Sequence, residues 1–289
     1  MTNNSKLSQF KFDIWLIDQL QHAAPPGLTL EELRSRWMKE PSHKGGLSRD
    51  MLTAHRKSIR EFLGLRIEAK DRLHYSIINP ENLKLDTLAN DLLKSIQNFV
   101  FLQEYKELGN LIQPEQIETG ACYLQKIGRA LAEKRKLRIT YHKFMEVEPY
   151  DAIIHPYCLK ADKGRWYIFA HKEGSEHHEF LQSFALDRTK RLEMTNETFT
   201  PNPSVDLEEY FRDCFGVWHN YEEYPVTDVT ISCTEKAANY LRTLPLHHSQ
   251  KEDPIRDGEE GRIIFHYHIS PTPDFEAELK RWGENIRRI

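Results

Sequence analysis

Residues 48–63 read SRDMLTAHRKSIREFL, and this stretch determines how the N-terminal part of the chain is interpreted. At 100° per residue its apolar side chains fall on one side of a helix. Ser48 is suited to cap the start of that helix, and Gly64 is suited to end it. We therefore predict a helix over Ser48–Leu63. Its buried side should consist of Leu52, His55, Ile59 and Phe62.

The opposite side of the predicted helix carries four basic side chains and a threonine within about 80° of arc. Two shorter helical patterns precede it, at residues 10–22 and from Thr29, and two strand patterns follow it, at residues 65–69 and 73–78. Three helices followed by a β-hairpin predict a winged helix over residues 1–80, with the third helix in the DNA major groove. Arginine suits guanine edges and lysine neutralises phosphate. The predicted DNA-binding residues are Ser48, Arg49, Thr53, Arg56, Lys57, Arg60, Lys70 and Arg72.

The charge distribution is compatible with nucleic-acid binding, although the 289-residue chain has a net charge of −4. Residues 1–80 and 120–200 carry net charges of +4 and +3, whereas residues 81–119 and 201–289 carry −4 and −7. Screening confines each local field to about 10 Å, so a phosphate backbone responds to the segment and not to the total. No apolar run is long enough for a membrane span, and the first residues lack the apolar core of a signal peptide. We expect a cytoplasmic protein.

The four cysteines predict neither a zinc site nor a disulfide framework. None of Cys122, Cys158, Cys214 and Cys233 lies within C-x-x-C spacing of another. We expect each of them to be a small buried residue in a reducing compartment.

The middle of the chain is predicted to be a helical linker over residues 81–136 and a β-domain over residues 137–200. Helical patterns run over 85–108 and 114–136. Strand patterns lie at 137–144, 152–160, 165–171 and 179–186, with glycine-containing turns at 162–164 and 173–175. Short strands joined in this way favour a small antiparallel sheet or barrel.

Several motifs of this β-domain stand in an order that is typical of one family. Residues 166–168 read WYI, preceded by RITY at 138–141 and HPYCL at 155–159, and followed by FALDR at 184–188. PLHHSQ at 245–250 and RWG at 281–283 complete the set. Together they resemble the WYL-domain transcriptional regulators of bacteria over most of the chain. The chain departs from the family pattern in having Ile168 where leucine is usual and Thr189 where isoleucine is usual.

The resemblance implies an α+β multidomain protein: a winged helix, an Sm-like small β-barrel (the WYL domain) and a C-terminal extension, termed WCX. It also implies that the barrel binds a negatively charged ligand, either single-stranded nucleic acid or a nucleotide. The residues favour this independently, because aromatic rings beside arginines hold stacked bases. Arg188 is the foremost candidate for an anion contact, since a guanidinium binds phosphate through two hydrogen bonds. The predicted ligand-binding residues are Tyr141, His142, Lys143, His155, Tyr157, Arg165, Tyr167, Arg188 and Arg191.

Residues 201–289 are predicted to form an α/β-sandwich domain that makes a homodimer. The pattern reads helix 206–214, strand 226–233, helix 235–244, strand 261–269 and helix 273–287. Its acidity would repel DNA, which leaves dimerisation as its role. The histidine pairs at 247–248 and at 266 and 268 lack a third ligand at convincing spacing, so we expect no metal. No nucleotide-binding or nucleophile motif is present, and we expect no cofactor and no enzymatic activity.

The sequence therefore predicts a ligand-responsive regulator that binds a double-stranded operator as a homodimer. Ligand binding to the β-domain would bias the spacing of the two winged helices through the linker helices. Two alternatives stay open at this point. One is a nucleic-acid-processing enzyme, and the other is an RNA- or protein-binding module of a defence or repair system.

Overall fold

A computed structural model describes residues 3–40, 46–69, 71–84, 88–108, 111–112, 118–175, 180–257 and 261–289. The chain divides into two compact units, residues 1–114 and 115–289. All the strand pairs described in its three sheets are antiparallel. The protein is thus a mixed α/β multidomain chain, as predicted. The winged-helix and Sm-like identities of its parts, and the four-part division of the sequence, stay predictions.

The first unit consists of helices around a small sheet with strand order β1-β3-β2. Its elements are α1 (Asn3–Gln21), β1 (Leu28–Thr29), α2 (Leu30–Trp37), α3 (Arg49–Leu63), β2 (Ile67–Ala69), β3 (His74–Ile77) and α4 (Leu88–Glu104). Its buried core includes Phe12, Leu16, Leu33 and Leu52, contributed by the first three helices.

Local sequence signals set the boundaries of α2 and α3. Thr29 and Glu32 form the capping box of α2. The Ser48 side chain accepts a hydrogen bond from Met51 N at the start of α3, and Gly64 ends that helix at φ 64°. The expected burial of Phe62 is wrong: its side chain is 57% exposed, because Leu63 fills the inward position at the end of α3.

The first part of the second unit is a helix on a five-stranded sheet with order β7-β6-β5-β4-β8. It contains α5 (Leu124–Ala132), β4 (Arg135–Tyr141), β5 (Tyr150–Asp162), β6 (Arg165–Lys172), β7 (Gln182–Ala185) and β8 (Thr189–Thr198). Lys134 adopts a left-handed conformation that separates α5 from β4, so the predicted helix to residue 136 is too long. Strand β8 was not predicted, because its mixed basic and acidic sequence hides the alternation. Residues 113–117, where that helix was expected to begin, lie outside the described residues.

The last part of the chain is a four-stranded sheet with order β10-β11-β9-β12, covered on one face by two helices. It contains α6 (Leu207–Arg212), β9 (Thr227–Cys233), α7 (Glu235–Thr243), β10 (Lys251–Asp257), β11 (Arg262–Ile269), α8 (Pro273–Arg281) and β12 (Ile286–Arg288). The prediction of a helix to residue 287 is wrong: α8 ends at Arg281, and residues 286–288 pair with β9. Residues 251–257 form a strand where a loop was expected.

Two of the four cysteines are buried as predicted. Cys214 and Cys233 are buried and Cys158 is half-buried, and burial raises the pKa of each of these thiols to about 11. Cys122 is exposed, so its predicted burial is wrong. None of the described helices combines the length and the apolar character that crossing a membrane requires.

Candidate nucleic-acid interface and ligand cleft

The outer face of α3 presents exposed cations in a row. Arg49, Thr53, Lys57 and Arg60 are all exposed, as the helical period predicts. Lys57 lies 3.8 Å from Glu61, but both side chains are more than half exposed, so this ion pair contributes little. The face can therefore offer guanidinium and ammonium groups to an anionic partner.

A buried hydrogen-bond network holds the inner face of α3 against α1. Asp13, 6% exposed, lies 2.6 Å from His55 Nδ1 and accepts a bond from Ser58 Oγ at 2.9 Å. The His55 ring packs on Phe12 with centroids 4.1 Å apart. Because these bonds are shielded from water, they fix the rotation of α3 about its axis.

Arg56, which was predicted to contact the groove, is held differently from the other cations of α3. Its Nε donates to Ile67 O at 2.7 Å, and its guanidinium lies 5.3 Å from the centre of the Tyr75 ring. Arg56 thus ties α3 to the β2–β3 hairpin instead of projecting outward with its neighbours.

The hairpin tip combines an exposed arginine with a tight turn. Arg72 adopts φ 66°, and Asp71 accepts hydrogen bonds from the backbone amides of Leu73 and His74. These bonds, together with one from the His74 ring, hold the pKa of Asp71 well below its usual range. The predicted contact residue Lys70 lies outside the described residues.

The second unit contains a cleft of about 830 Å³ between the five-stranded sheet and the segment that leads into the C-terminal sheet. This volume is in the range of small-molecule and cofactor sites. Of the predicted ligand residues, Tyr167 and Arg188 line it. The other lining residues are Phe144, Phe169, Phe180, Leu181, Gln182, Ser183, Val217, Trp218, His219, Asn220, Glu222 and Asp274.

Two aromatic rings support the Arg188 side chain in the cleft. Its guanidinium carbon lies 4.3 Å from the centre of the Phe144 ring and 5.3 Å from that of Tyr141. Its Nε is buried without a hydrogen-bond partner among the described residues. Tyr141 itself is only 3% exposed and its hydroxyl accepts from Ala185 N, so it positions Arg188 rather than stacking on a ligand as predicted.

The facing wall is built from aromatic residues that the sequence analysis did not select. The His219 ring stacks on Tyr210 with centroids 3.6 Å apart and planes 8° apart. Tyr210 is anchored through its hydroxyl, which donates to Leu181 O directly before β7. Burial lowers the pKa of His219 to about 4, so this ring is neutral at neutral pH. The density of aromatic residues in FGVWHNYEEY, residues 215–224, is the signal by which this wall was detectable.

The remaining predicted ligand residues are not among those that line the cleft. On β5, His155 stacks on Phe199 at 5.0 Å and the Tyr157 hydroxyl accepts from Asn202 N. Both are occupied by the connection between the sheet and the C-terminal part. Arg165 lies 3.7 Å from Asp187.

The other three predicted residues are paired locally. His142 Nε2 lies 2.9 Å from Glu146 O, and Lys143 Nζ lies 3.1 Å from the Glu146 carboxylate. Arg191 donates to Glu193 at 2.7 Å. The prediction therefore placed in one site residues that the structure distributes over several surfaces of the β-domain.

The histidine pairs of the C-terminal part bond to protein groups. His266 and His268 lie 3.0 and 2.8 Å from Asp253 and Asp228, respectively. Within the described part of the chain, no three His, Cys, Asp or Glu side chains are grouped in a way that could hold a metal ion.

Comparison with known proteins identifies the central domain. The family model of the WYL domain matches residues 123–194, which span α5, strands β4 to β7 and most of β8. No curated protein sequence matches the chain significantly. Among solved structures, the chain is similar to proteasome accessory factor B/C (PafBC) of Arthrobacter aurescens, at 18% identity and a TM-score of 0.38, over 99% of this chain and 44% of that one.

A CRISPR Cas-related protein is similar at 11% identity and a TM-score of 0.35, over 100% of this chain and 81% of that one. The chain thus spans less than half the length of the PafBC protein. The family match covers the four motifs between residues 138 and 188 and does not extend to those at 245–250 and 281–283. Residues 123–194 of this chain are a WYL domain.

Proposed function

We propose that this protein is a transcriptional regulator that binds an operator through α3 and the β2–β3 hairpin and senses an anionic ligand in the cleft of its WYL domain. The match to the WYL-domain family supports a role in transcriptional regulation. The observation that carries the proposal is the exposed basic face of α3 over a buried network. This combination is what a major-groove recognition helix needs, since the cations must be presented without moving the helix.

The part of the DNA that each side chain would contact follows from the chemistry of its functional group. Arg49 and Arg60 would reach guanine edges or phosphates, Thr53 a base edge or phosphate, and Lys57 a phosphate. Arg72 at the hairpin tip would contact the backbone beside the groove. Arg56 would contribute indirectly, by holding the β2–β3 hairpin in place against α3.

The regulator would act as a homodimer whose two recognition helices lie about 34–36 Å apart on a pseudo-palindromic operator. The acidic C-terminal part, at a net charge of −7 over residues 201–289, would face away from DNA and join the protomers. A ligand in the cleft changes operator affinity only if it binds one arrangement of the dimer better than the other.

The test begins with selection of a preferred sequence from random duplex DNA by the full chain. Affinity for the selected duplex is then measured by fluorescence anisotropy over a salt series. We expect Arg49→Ala and Arg60→Ala each to weaken specific binding by about tenfold to hundredfold. Lys57→Ala should weaken all duplexes alike and reduce the salt slope by about 1.

Lys236→Ala and Lys280→Ala are the matched controls, because both lysines are exposed on helices of the C-terminal part. They should leave affinity and slope unchanged. If no duplex is preferred, or if the α3 variants bind like the controls, the proposal fails. Turnover of labelled DNA or RNA would instead establish the enzyme alternative. Binding of RNA with no duplex preference would favour the interaction-module alternative.

A further inference from the structure

The charged residues of the cleft are divided between its two sides. The WYL domain contributes Arg188, whereas Glu222 and Asp274 come from the segment after the WYL domain and from the first turn of α8. His219 adds no charge at neutral pH, because burial keeps it in its neutral form. The charged lining is therefore one guanidinium and two carboxylates.

Because the lining has one positive and two negative side chains, a simple anion is not the ligand that fits the cleft best. Inorganic phosphate drawn to Arg188 would also meet two carboxylates of its own sign, which disfavours binding. A matching ligand carries an anionic group at one end and hydrogen-bond donors at the other. Carboxylates accept such bonds strongly because they are charged.

The aromatic lining adds a second requirement, a flat ring system. Phe144, Tyr167, Phe180 and Trp218 border the cleft, and Trp218 is 41% exposed. Faces of this kind stack on nucleobases. Gln182 and Asn220 supply amides that can bond to the remaining polar atoms of such a ligand.

We infer that the cleft binds a guanine nucleotide, with its phosphate on Arg188 and its base edge on the carboxylate of Asp274 or Glu222. Guanine presents two adjacent donors, N1–H and the N2 amino group, which match the two oxygens of a carboxylate. Adenine and cytosine place an acceptor nitrogen next to their amino group, and uracil places its single N–H between two carbonyls. Only guanine therefore fits a carboxylate through two parallel bonds.

The assignment of a guanine nucleotide rests on the proposed function, because it names the ligand that the proposed regulator would sense. The same chemistry can come from a free nucleotide or from the 5′-phosphorylated end of a strand that begins with guanine. Both sources place one base and one phosphate in the cleft.

The experiment is calorimetric titration of the full chain with GMP, AMP, CMP, UMP, guanosine and inorganic phosphate. We expect GMP to bind roughly tenfold to hundredfold more tightly than the other nucleotides, as charge-assisted hydrogen bonds imply. Guanosine should bind more weakly than GMP, and inorganic phosphate should not bind measurably. The trinucleotides pGpApA and pApApA then identify the source: tighter binding of pGpApA than of GMP assigns a strand end, and the reverse assigns a free nucleotide.

Three variants and one control make the assignment specific. Asp274→Asn or Glu222→Gln should abolish the preference for GMP over AMP, because an amide replaces one of the two acceptor oxygens with an NH2 donor and cannot accept both bonds from guanine. Arg188→Gln should make GMP and guanosine bind alike. Glu284→Gln, at an exposed carboxylate that does not line the cleft, should behave like the unaltered protein.

Equal affinity for all four nucleotides would overturn the inference, as would an unchanged GMP preference in both carboxylate variants. Operator binding in the same protein preparation separates this failure from failure of the proposed function. A protein that selects a duplex but does not distinguish nucleotides is still a DNA-binding regulator, with a different ligand.

Discussion

The outer face of α3 and the cleft of the WYL domain both present arginine, but they are built in opposite ways. On α3 the cations project from one continuous helix, and a buried Asp13–His55 pair holds that helix from behind. In the cleft, Arg188 leaves a short 3₁₀ turn and rests on rings from two other positions. The first surface depends on one element and its anchor, whereas the second depends on packing between distant segments.

The largest effect is expected where α3 is anchored. Asp13→Ala leaves His55 and Ser58 without their buried partner, and breaking such a pair should lower the free energy of unfolding by about 4 kcal/mol. Asp18→Ala is the matched control on the same helix, because Asp18 pairs with His22 at an exposed position. It should cost less than about 1 kcal/mol. Urea unfolding followed by far-UV circular dichroism measures both, and similar losses in the two variants would show that the network does not anchor α3.

The corresponding test of the cleft is a glycine beside the Arg188 turn. Gly120 adopts φ +69°, and a Cβ added there would lie 2.2 Å from Leu186 Cβ and 2.5 Å from Leu186 C. Gly120→Ala should therefore cost about 3 kcal/mol of unfolding free energy through backbone strain and overpacking. It should also displace Arg188, two residues further along the same turn.

Gly128→Ala provides the control, because a Cβ at this position in α5 meets nothing within 4 Å. Removing a glycine from a helix interior should stabilise the domain by about 0.5–1 kcal/mol. Denaturant midpoints of the two variants should move in opposite directions. A Gly120→Ala midpoint that does not fall would mean that the turn before α5 does not constrain the Arg188 segment.

The same contrast explains how much was predictable from the sequence. The α3 surface follows from local rules: period 3.6, a serine cap and a glycine end, all within residues 48–64. Local rules do not predict which groups from other segments of the chain lie next to α3. Arg56 belongs to the basic arc by its angle, yet a carbonyl of the hairpin lies close enough to capture its Nε.

The cleft was predictable only in part. The ordered motifs of the WYL domain led to Tyr167 and Arg188, which do line it. The motifs do not distinguish these two residues from His155 or Arg191, which do not line the cleft. The reason is that side chains alternating along neighbouring strands lie on opposite faces of the sheet. The wall with Trp218 and His219 comes from outside residues 123–194 and has no period to reveal it.

The second unit should lose stability in acid, because its buried histidines stabilise it only in their neutral form. Burial lowers the pKa of His247 to about 4, and its ring bonds to Arg212 O and Ser249. Since the unfolded state takes up the proton near pH 6.5, this contribution is complete above pH 6.5 and is lost as the pH falls toward 4. At pH 5 the loss should be about 2 kcal/mol.

His247→Gln removes this titration, whereas His248→Gln, at the exposed neighbouring position, keeps it. Thermal or urea unfolding of each variant at pH 7 and pH 5 measures the difference. His219 acts in the same direction, so His247→Gln should reduce the acid sensitivity without abolishing it. An acid sensitivity equal to that of the unaltered protein would argue against a neutral buried His247.

The smallest expected effect concerns Arg56, the residue that joins α3 to the β2–β3 hairpin. Arg56→Lys keeps the charge but loses the planar group that lies over Tyr75 and the Nε bond to Ile67 O. The cost should be about 1 kcal/mol, concentrated in faster hydrogen exchange of the β2–β3 hairpin amides. Lys57→Arg, at an exposed position on the same helix, should change neither exchange nor stability. If Arg56→Lys leaves hairpin exchange unchanged and weakens operator binding by itself, Arg56 contacts DNA after all, and the recognition surface is the full arc that the helical period predicts.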